Sequence, residues 1–294
     1  MVDAVSRACF TTIPPALGLL SVLAVSACAG DDAAPQAEAT TTADEGSGTT
    51  SGDAPADSSE GGSDSGSSGE VELPPGCVDP GTEGATAACL QPTMPPEYYV
   101  AEAEAYFDTL DIDAPRDSVP NYHAQVARWE WPPWLLLTGY GDNALIDTAE
   151  TLRAIDPSTV PIRDCRFFEV QPFARCYVVF EYEEGPCPIY EEFTFNDAGE
   201  MTWIEAWSDL PGLLPQDMSD EWAESPDYPR LANRIPGLGN PTGTIDLDSS
   251  YMEAAAMADP EVADFRMRAR DWWTAWIEAL DMAKEDFFAV GCGW

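Results

Sequence analysis

The stretch Ile189–Trp207, IYEEFTFNDAGEMTWIEAW, decides how this chain is read. Two runs of alternating character flank Asp197-Ala198-Gly199, a three-residue loop whose glycine can take the left-handed conformation such a turn requires. With Asn196 and Glu200 as the closing pair, counting outward sets Phe195 against Met201, Phe193 against Trp203, Glu191 against Glu205 and Ile189 against Trp207. Those eight side chains share one face. The other face carries Thr194, Thr202, Glu192, Ile204, Tyr190 and Ala206 and is wetter. The aromatic face is therefore the expected inner one, and it holds two carboxylates directly opposite each other.

Working outward, the 294 residues give enough apolar material for a core. The net charge is −40, from 53 acids against 13 bases, with Lys284 the single lysine. So acidic a surface repels phosphate backbones and anionic lipid headgroups, which excludes nucleic acid as an expected partner. Residues 1–28 read as a secretory leader, with Arg7 ahead of a short apolar run too brief to span a bilayer. Residues 29–75 hold no aromatic residue, Lys or Arg and cannot bury enough surface to offset chain entropy. They read as a disordered acidic tether rich in Ser, Gly and Thr, with a reach of roughly 35–40 Å.

Six further cysteines follow: Cys77, Cys89, Cys165, Cys176, Cys187 and Cys292. An even number in an exported chain favours disulfides, and the spacings match no zinc pattern. Cys77 with Cys89 is the natural local pair, and the other four allow three pairings. A four-residue loop at 169–172 would face Cys165 with Cys176, whereas a tight turn at Pro172-Phe173 would not. Cys292 is expected to staple the tail to the sheet.

Helical spacing predicts a helix from Pro95 or Pro96 to Leu110, a shorter one over 121–128 that contains His123, and a third over 143–155. Trp129-Glu-Trp131-Pro-Pro-Trp134 is aromatic and rigid, and leads into a short strand at 134–138. Strands are expected at 162–170 and 175–183, before the hairpin. Residues 209–247, rich in Pro and Gly, read as an irregular wrap. Ser250 with Glu253 suggests a capping box, and Asp259-Pro260 opens a last long helix whose stripe runs from Phe265 through Trp272 and Trp276 to Phe287.

Two resemblances add to this. Val25-Ser26-Ala27-Cys28 resembles the lipobox of bacterial lipoproteins, which implies lipidation at Cys28, a membrane anchored through it, and an outer-membrane position because no Asp follows the cysteine. The order of elements up to EEFTFNDAGEMTWIEAWSD resembles the nuclear transport factor 2-like superfamily, its SnoaL-like branch in particular, over residues 95–209. That resemblance implies an α+β fold in which a curved antiparallel sheet wraps N-terminal helices as a cone around an apolar pocket. The domain is set at 76–209, with 210–294 as a helical C-terminal extension packed upon it. Some members of the superfamily are cyclases, isomerases or dehydratases, and many only bind ligands or partners.

Two carboxylates facing each other cannot both ionise cheaply, so Glu191 and Glu205 are the acid/base candidates; His123, beside Trp129 and Trp131 at the expected mouth of the pocket, is a further catalytic candidate. Phe193, Trp203, Trp207 and Trp131 are the expected pocket lining. Asp246-Leu-Asp248-Ser-Ser250 starts like a calcium loop but has Tyr251 where glycine is needed, so no metal is expected. No cofactor motif is present. The reading is an envelope lipoprotein with a pocket for a small apolar ligand or an envelope protein. The alternatives are a SnoaL-like enzyme using the paired glutamates and a structural lipoprotein whose pocket is filled by its own tail.

Overall fold

The computed structural model describes residues 78, 85–116, 119–131, 139–208, 216–217, 220–224, 230–276 and 292. The leader, Cys28, the tether, Cys77, the expected strand at 134–138 and the tail stripe beyond Trp276 lie outside these, as does the side chain of Trp131. Among the described residues no helix is long and apolar enough to cross a membrane.

The chain forms a mixed α+β structure. Helix α1 (Pro96–Leu110) is followed by strand β1 (Tyr122–Trp131), the short β2 (Gly139–Tyr140) and helix α2 (Asp142–Ile155). Strands β3 (Thr159–Phe167), β4 (Ala174–Glu181), β5 (Pro186–Phe195) and β6 (Met201–Ser208) come next. A small ribbon, β7 (Gln216–Asp217) and β8 (Asp220–Glu224), precedes a 3-10 turn at Leu231–Asn233 and helices α3 (Ser250–Ala258) and α4 (Pro260–Arg270). The six-stranded sheet is open, in the order β2-β1-β6-β5-β4-β3.

Several expectations need correcting. The expected helix over 121–128 is instead strand from Tyr122 onward: Val126 to Glu130 are all buried, so both faces of β1 are covered and no strand alternation shows in its sequence. The sheet is not wholly antiparallel, because β1 runs parallel to β6, with Trp129 opposite Glu205 and Trp131 opposite Trp207. Finally, Ser249 rather than Ser250 caps α3, its side chain accepting from the Met252 N–H.

The hairpin turn itself is as expected. The Asn196 N–H donates to the Glu200 carbonyl (3.0 Å), and Gly199 sits at φ +78°, where a Cβ would press on Met94 and Tyr98 at 3.0 Å. The register beyond it is not. Phe195 faces Met201, but Thr194 then faces Trp203, so Thr202 is an extra residue, a bulge in β6. From there the pairs are Phe193 with Ile204, Glu192 with Glu205, Glu191 with Ala206 and Tyr190 with Trp207. One inserted residue moves each later β6 side chain to the opposite face.

Both faces of the sheet are consequently apolar and covered. The helix side buries Phe193, Phe195, Ile189, Val178, Ile204 and Ala206 against Tyr99, Ala103, Tyr106 and Phe107 of α1. The other side buries Trp129 and Trp203 against Leu231, Ile235, Leu238, Val262 and Phe265 of the C-terminal segment. Asp259 caps α4 by accepting from the Glu261 N–H, and the helix ends at Arg270 instead of running on. The β3–β4 loop spans four residues between Phe168 and Phe173, so Cys165 and Cys176 face each other and form a disulfide. Cys187 on β5 is bonded to Cys292, tying the end of the chain to the sheet. Cys89 is disulfide-bonded.

Candidate functional site

The bulge separates the two expected partners. Glu191 points to the helix side and Glu205 to the wrap side, so they do not form the carboxylate pair read from the sequence. Each has its own surroundings.

On the wrap side, Glu205 accepts hydrogen bonds from the Leu231 N–H (2.7 Å), the Ala232 N–H (3.1 Å) and the Trp203 indole Nε1 (3.2 Å). Burial pushes its carboxyl up to about 7 against the pull of these donors, with the nearby Glu192 adding to the rise. Glu192 is paired with Arg230, whose Nη2 donates to Oε1 at 2.8 Å, and with Arg175 at 3.7 Å. Arg175 and Arg230 also donate to the Trp222 carbonyl, at 2.7 and 2.8 Å. This cluster fastens the C-terminal segment to the sheet. Trp203 packs edge-on to Phe265 at 4.9 Å, and Trp207 lies with Tyr190 and Trp222, so both expected pocket residues are core beneath the wrap.

On the helix side lies a cavity of about 40 Å³ between α1, α2 and the sheet. By the same measure one water needs roughly 10–15 Å³, so the space suits about three waters or a small molecule. Leu110, Leu145, Leu152, Phe180 and Ile189 give it apolar walls. Arg128 is its polar centre, placed by β1. Its Nε donates to the Tyr106 hydroxyl (2.8 Å), its Nη1 pairs with Glu130 (2.8 Å), and its Nη2 donates to Glu191 Oε1 (3.2 Å). Glu191 Oε2 is buried without a hydrogen-bond partner among the described residues.

Burial raises the Glu191 carboxyl to about 7; Arg128 opposes the rise, Glu130 adds to it, and hydrogen bonds from Arg128 and the Tyr106 hydroxyl to the carboxyl oppose it further. Burial works against the charge of Arg128, but Glu130, Tyr106 and Glu191 outweigh it, and the guanidinium is held firmly cationic. Burial likewise lifts the Tyr106 phenol well above its ordinary range. Asp156, half-exposed at the rim, is raised to about 6 by burial and by Glu184 and Glu183. The site thus offers a fixed cation, a carboxyl that holds its proton near neutrality, and an apolar enclosure.

Among the described residues read from the sequence as site candidates, Glu191 alone lines this cavity. Phe193 is fully buried in the adjoining core. His123 lies on β1 outside the lining, its Nδ1 accepting from the Gln125 N–H at 3.1 Å. Trp272, Trp273 and Trp276 are not among the cavity's lining residues, and Trp276 packs elsewhere in the helix-side core. Arg128, Glu130, Tyr106 and Asp156 were missed. Once β1 is known as a strand, Arg128-Trp-Glu130 places two opposite charges on one face, a signal that the helical reading concealed. The Asp246 segment is a turn, Asp246 Oδ1 accepting from the Asp248 N–H at 2.9 Å, and no cluster among the described residues is arranged to hold a metal.

No family profile and no curated protein matches this chain. Among solved structures, an isomerase candidate of the SnoaL-like family from Agrobacterium tumefaciens str. C58 is similar over 39% of this chain and 99% of its own, at 12% identity and a TM-score of 0.29. A protein of unknown function with a cystatin-like fold from Methylobium petroleophilum PM1 is similar over 45% and 87%, at 12% identity and a TM-score of 0.35. The BvnE pinacolase from Penicillium brevicompactum is similar over 38% and 84%, at 16% identity and a TM-score of 0.30.

Proposed function

We propose that this chain is a membrane-tethered binding module, anchored through a lipid on Cys28, whose helix-side cavity takes a small molecule that offers a polar group to Glu191. The observation that carries this reading is Glu191 Oε2. A buried oxygen without a partner costs roughly 1–3 kcal/mol, and one that borders a cavity can find its partner in whatever enters. With its proton retained near neutral pH, the Glu191 carboxyl donates to a ligand carbonyl or hydroxyl while Arg128 holds the group in place. Mass spectrometry of the full chain under native conditions tests this. A co-purifying small molecule retained by wild type and lost in Glu191→Leu is expected; identical spectra for both refute it. Labelled palmitate incorporation that disappears in Cys28→Ser tests the anchor.

A second reading is favoured by one observation. Glu191 and Asp156, both with carboxyls raised toward neutrality by burial, border the same cavity, and carboxyls that titrate near the working pH are what general acid/base work uses. An isomerase or dehydratase using this pair would wash deuterium from D2O into a carbon-bound position of the retained molecule, and Glu191→Gln would stop it. A binding module incorporates none.

A further inference from the structure

Thr148 Oγ1 and Arg153 Nε, both on α2 in the cavity wall, are also buried polar atoms without partners among the described residues. Neither is expected to stand so. A mid-helix threonine ordinarily turns its hydroxyl back to the preceding turn, as Thr151 of the same helix does to the Asp147 carbonyl at 2.7 Å. Thr148, buried and three residues away, makes no such bond. Arg153 is equally unusual. In a chain with 53 acidic residues, the buried Arg128, Arg175 and Arg230 each meet a carboxylate. Arg153, just 8% exposed, has no carboxylate partner among the described residues. Its Nη1 donates to the Asp108 and Thr109 carbonyls at 3.0 and 3.3 Å, and its Nη2 to the Ile112 carbonyl at 3.3 Å, closing the end of α1. Dipoles offset part of its charge, and the Nε–H is left over.

Resting on the binding reading above, we propose that the ligand is a short hydroxy- or oxo-carboxylic acid: its carboxylate lies against Arg153 Nε and Thr148 Oγ1, and its hydroxyl or carbonyl meets Glu191. A cation and a hydroxyl on one helix, both lining the same cavity, match an anionic oxygen pair, and Glu191 Oε2, on β5, matches a second polar group on the same small molecule. The volume limits that molecule to a few heavy atoms. Charge counting agrees. The ionisable groups on the wall are Tyr106 from α1, Arg128 and Glu130 from β1, Arg153 and Asp156 from α2 and its end, Tyr182 after β4, and Glu191 from β5. With Glu191 and Asp156 protonated, two arginines face one carboxylate, Glu130, so the cavity has room for one negative charge.

The probes are 2-hydroxypropanoate, 2-hydroxypropanamide and propane-1,2-diol, with binding to the full chain followed by saturation-transfer NMR at pH 5.5 and 8. The acid is expected to bind at least tenfold more tightly than the amide or the diol at pH 5.5, and to lose that lead at pH 8. Thr148→Val should weaken acid binding about tenfold and leave the diol within threefold. Arg153→Gln should do the same, and because that variant risks the closure of α1, the near-isosteric Thr148→Val is the deciding substitution. Equal binding of all three probes overturns the carboxylate assignment while leaving Glu191 as a polar anchor. An acid lead that survives Thr148→Val overturns the placement on α2. No binding by any probe to wild type overturns this inference, whereas the wider binding reading falls only if the native spectra of wild type and Glu191→Leu are also identical.

Discussion

Replacing Glu191 with Gln tests the physics of the site without needing its ligand. In the folded chain the Glu191 carboxyl titrates at about 7, against an ordinary 4.5. Below pH 4.5 the group is protonated whether the chain is folded or not, so it costs nothing. As pH rises from 4.5, the unfolded chain releases this proton while the folded chain keeps it. Stability therefore falls until about pH 7, where the folded carboxyl also ionises, and the loss is constant above that. The gap amounts to about 3 kcal/mol, since each factor of ten in proton affinity is worth about 1.4 kcal/mol. The side chain is fully buried, so solvent screening takes little from this figure. Gln keeps the shape and a hydrogen-bonding group but cannot ionise. The difference between the urea unfolding free energies of Glu191→Gln and wild type should therefore move in the variant's favour by about 3 kcal/mol between pH 4.5 and 8. Because the difference is taken at each pH, other titrating groups, Glu205 among them, cancel. Parallel curves across that range would refute the claim that Glu191 is buried with a raised pKa, and with it the proton-donating anchor.

Three other outcomes follow from the packing. Arg230→Met leaves the buried Glu192 with Arg175 alone and should cost roughly 3–5 kcal/mol in urea unfolding, with earlier proteolysis of the C-terminal segment. Phe193→Ala, which empties a fully buried ring site between α1 and the sheet, should cost roughly 3–5 kcal/mol by the same measurement. Replacing both Cys187 and Cys292 with Ala releases a loop closed over 105 residues and should lower unfolding free energy by about 4–5 kcal/mol.

Local chemistry made part of this structure legible from sequence. The Asp197-Ala-Gly199 turn, the proline that opens α1, the Asp259 cap and the 169–172 loop all follow from rules that act within a few residues. The site depended on two non-local facts. Thr202 is a bulge, and nothing in MTWIEAW distinguishes an inserted residue from a paired one; that single step sent Glu205, Trp203 and Trp207 to the far face. Strand β1 is covered on both faces by parts of the chain far away in sequence, so its alternation is erased. Arg128 and Glu130, the heart of the cavity, were hidden with it.

The parallel neighbours β1 and β6 inside the sheet are far apart in the chain: Tyr122 with Met201 and Trp131 with Trp207, separations of 79 and 76 residues. At roughly 5–20 residues per second, a nascent β1 waits on the order of 4–15 s for its mate to leave the ribosome. Through that interval Val126 and Trp129 have no sheet to enter. Until β6 arrives, β1 is a stretch of the newborn chain that a holding chaperone would find.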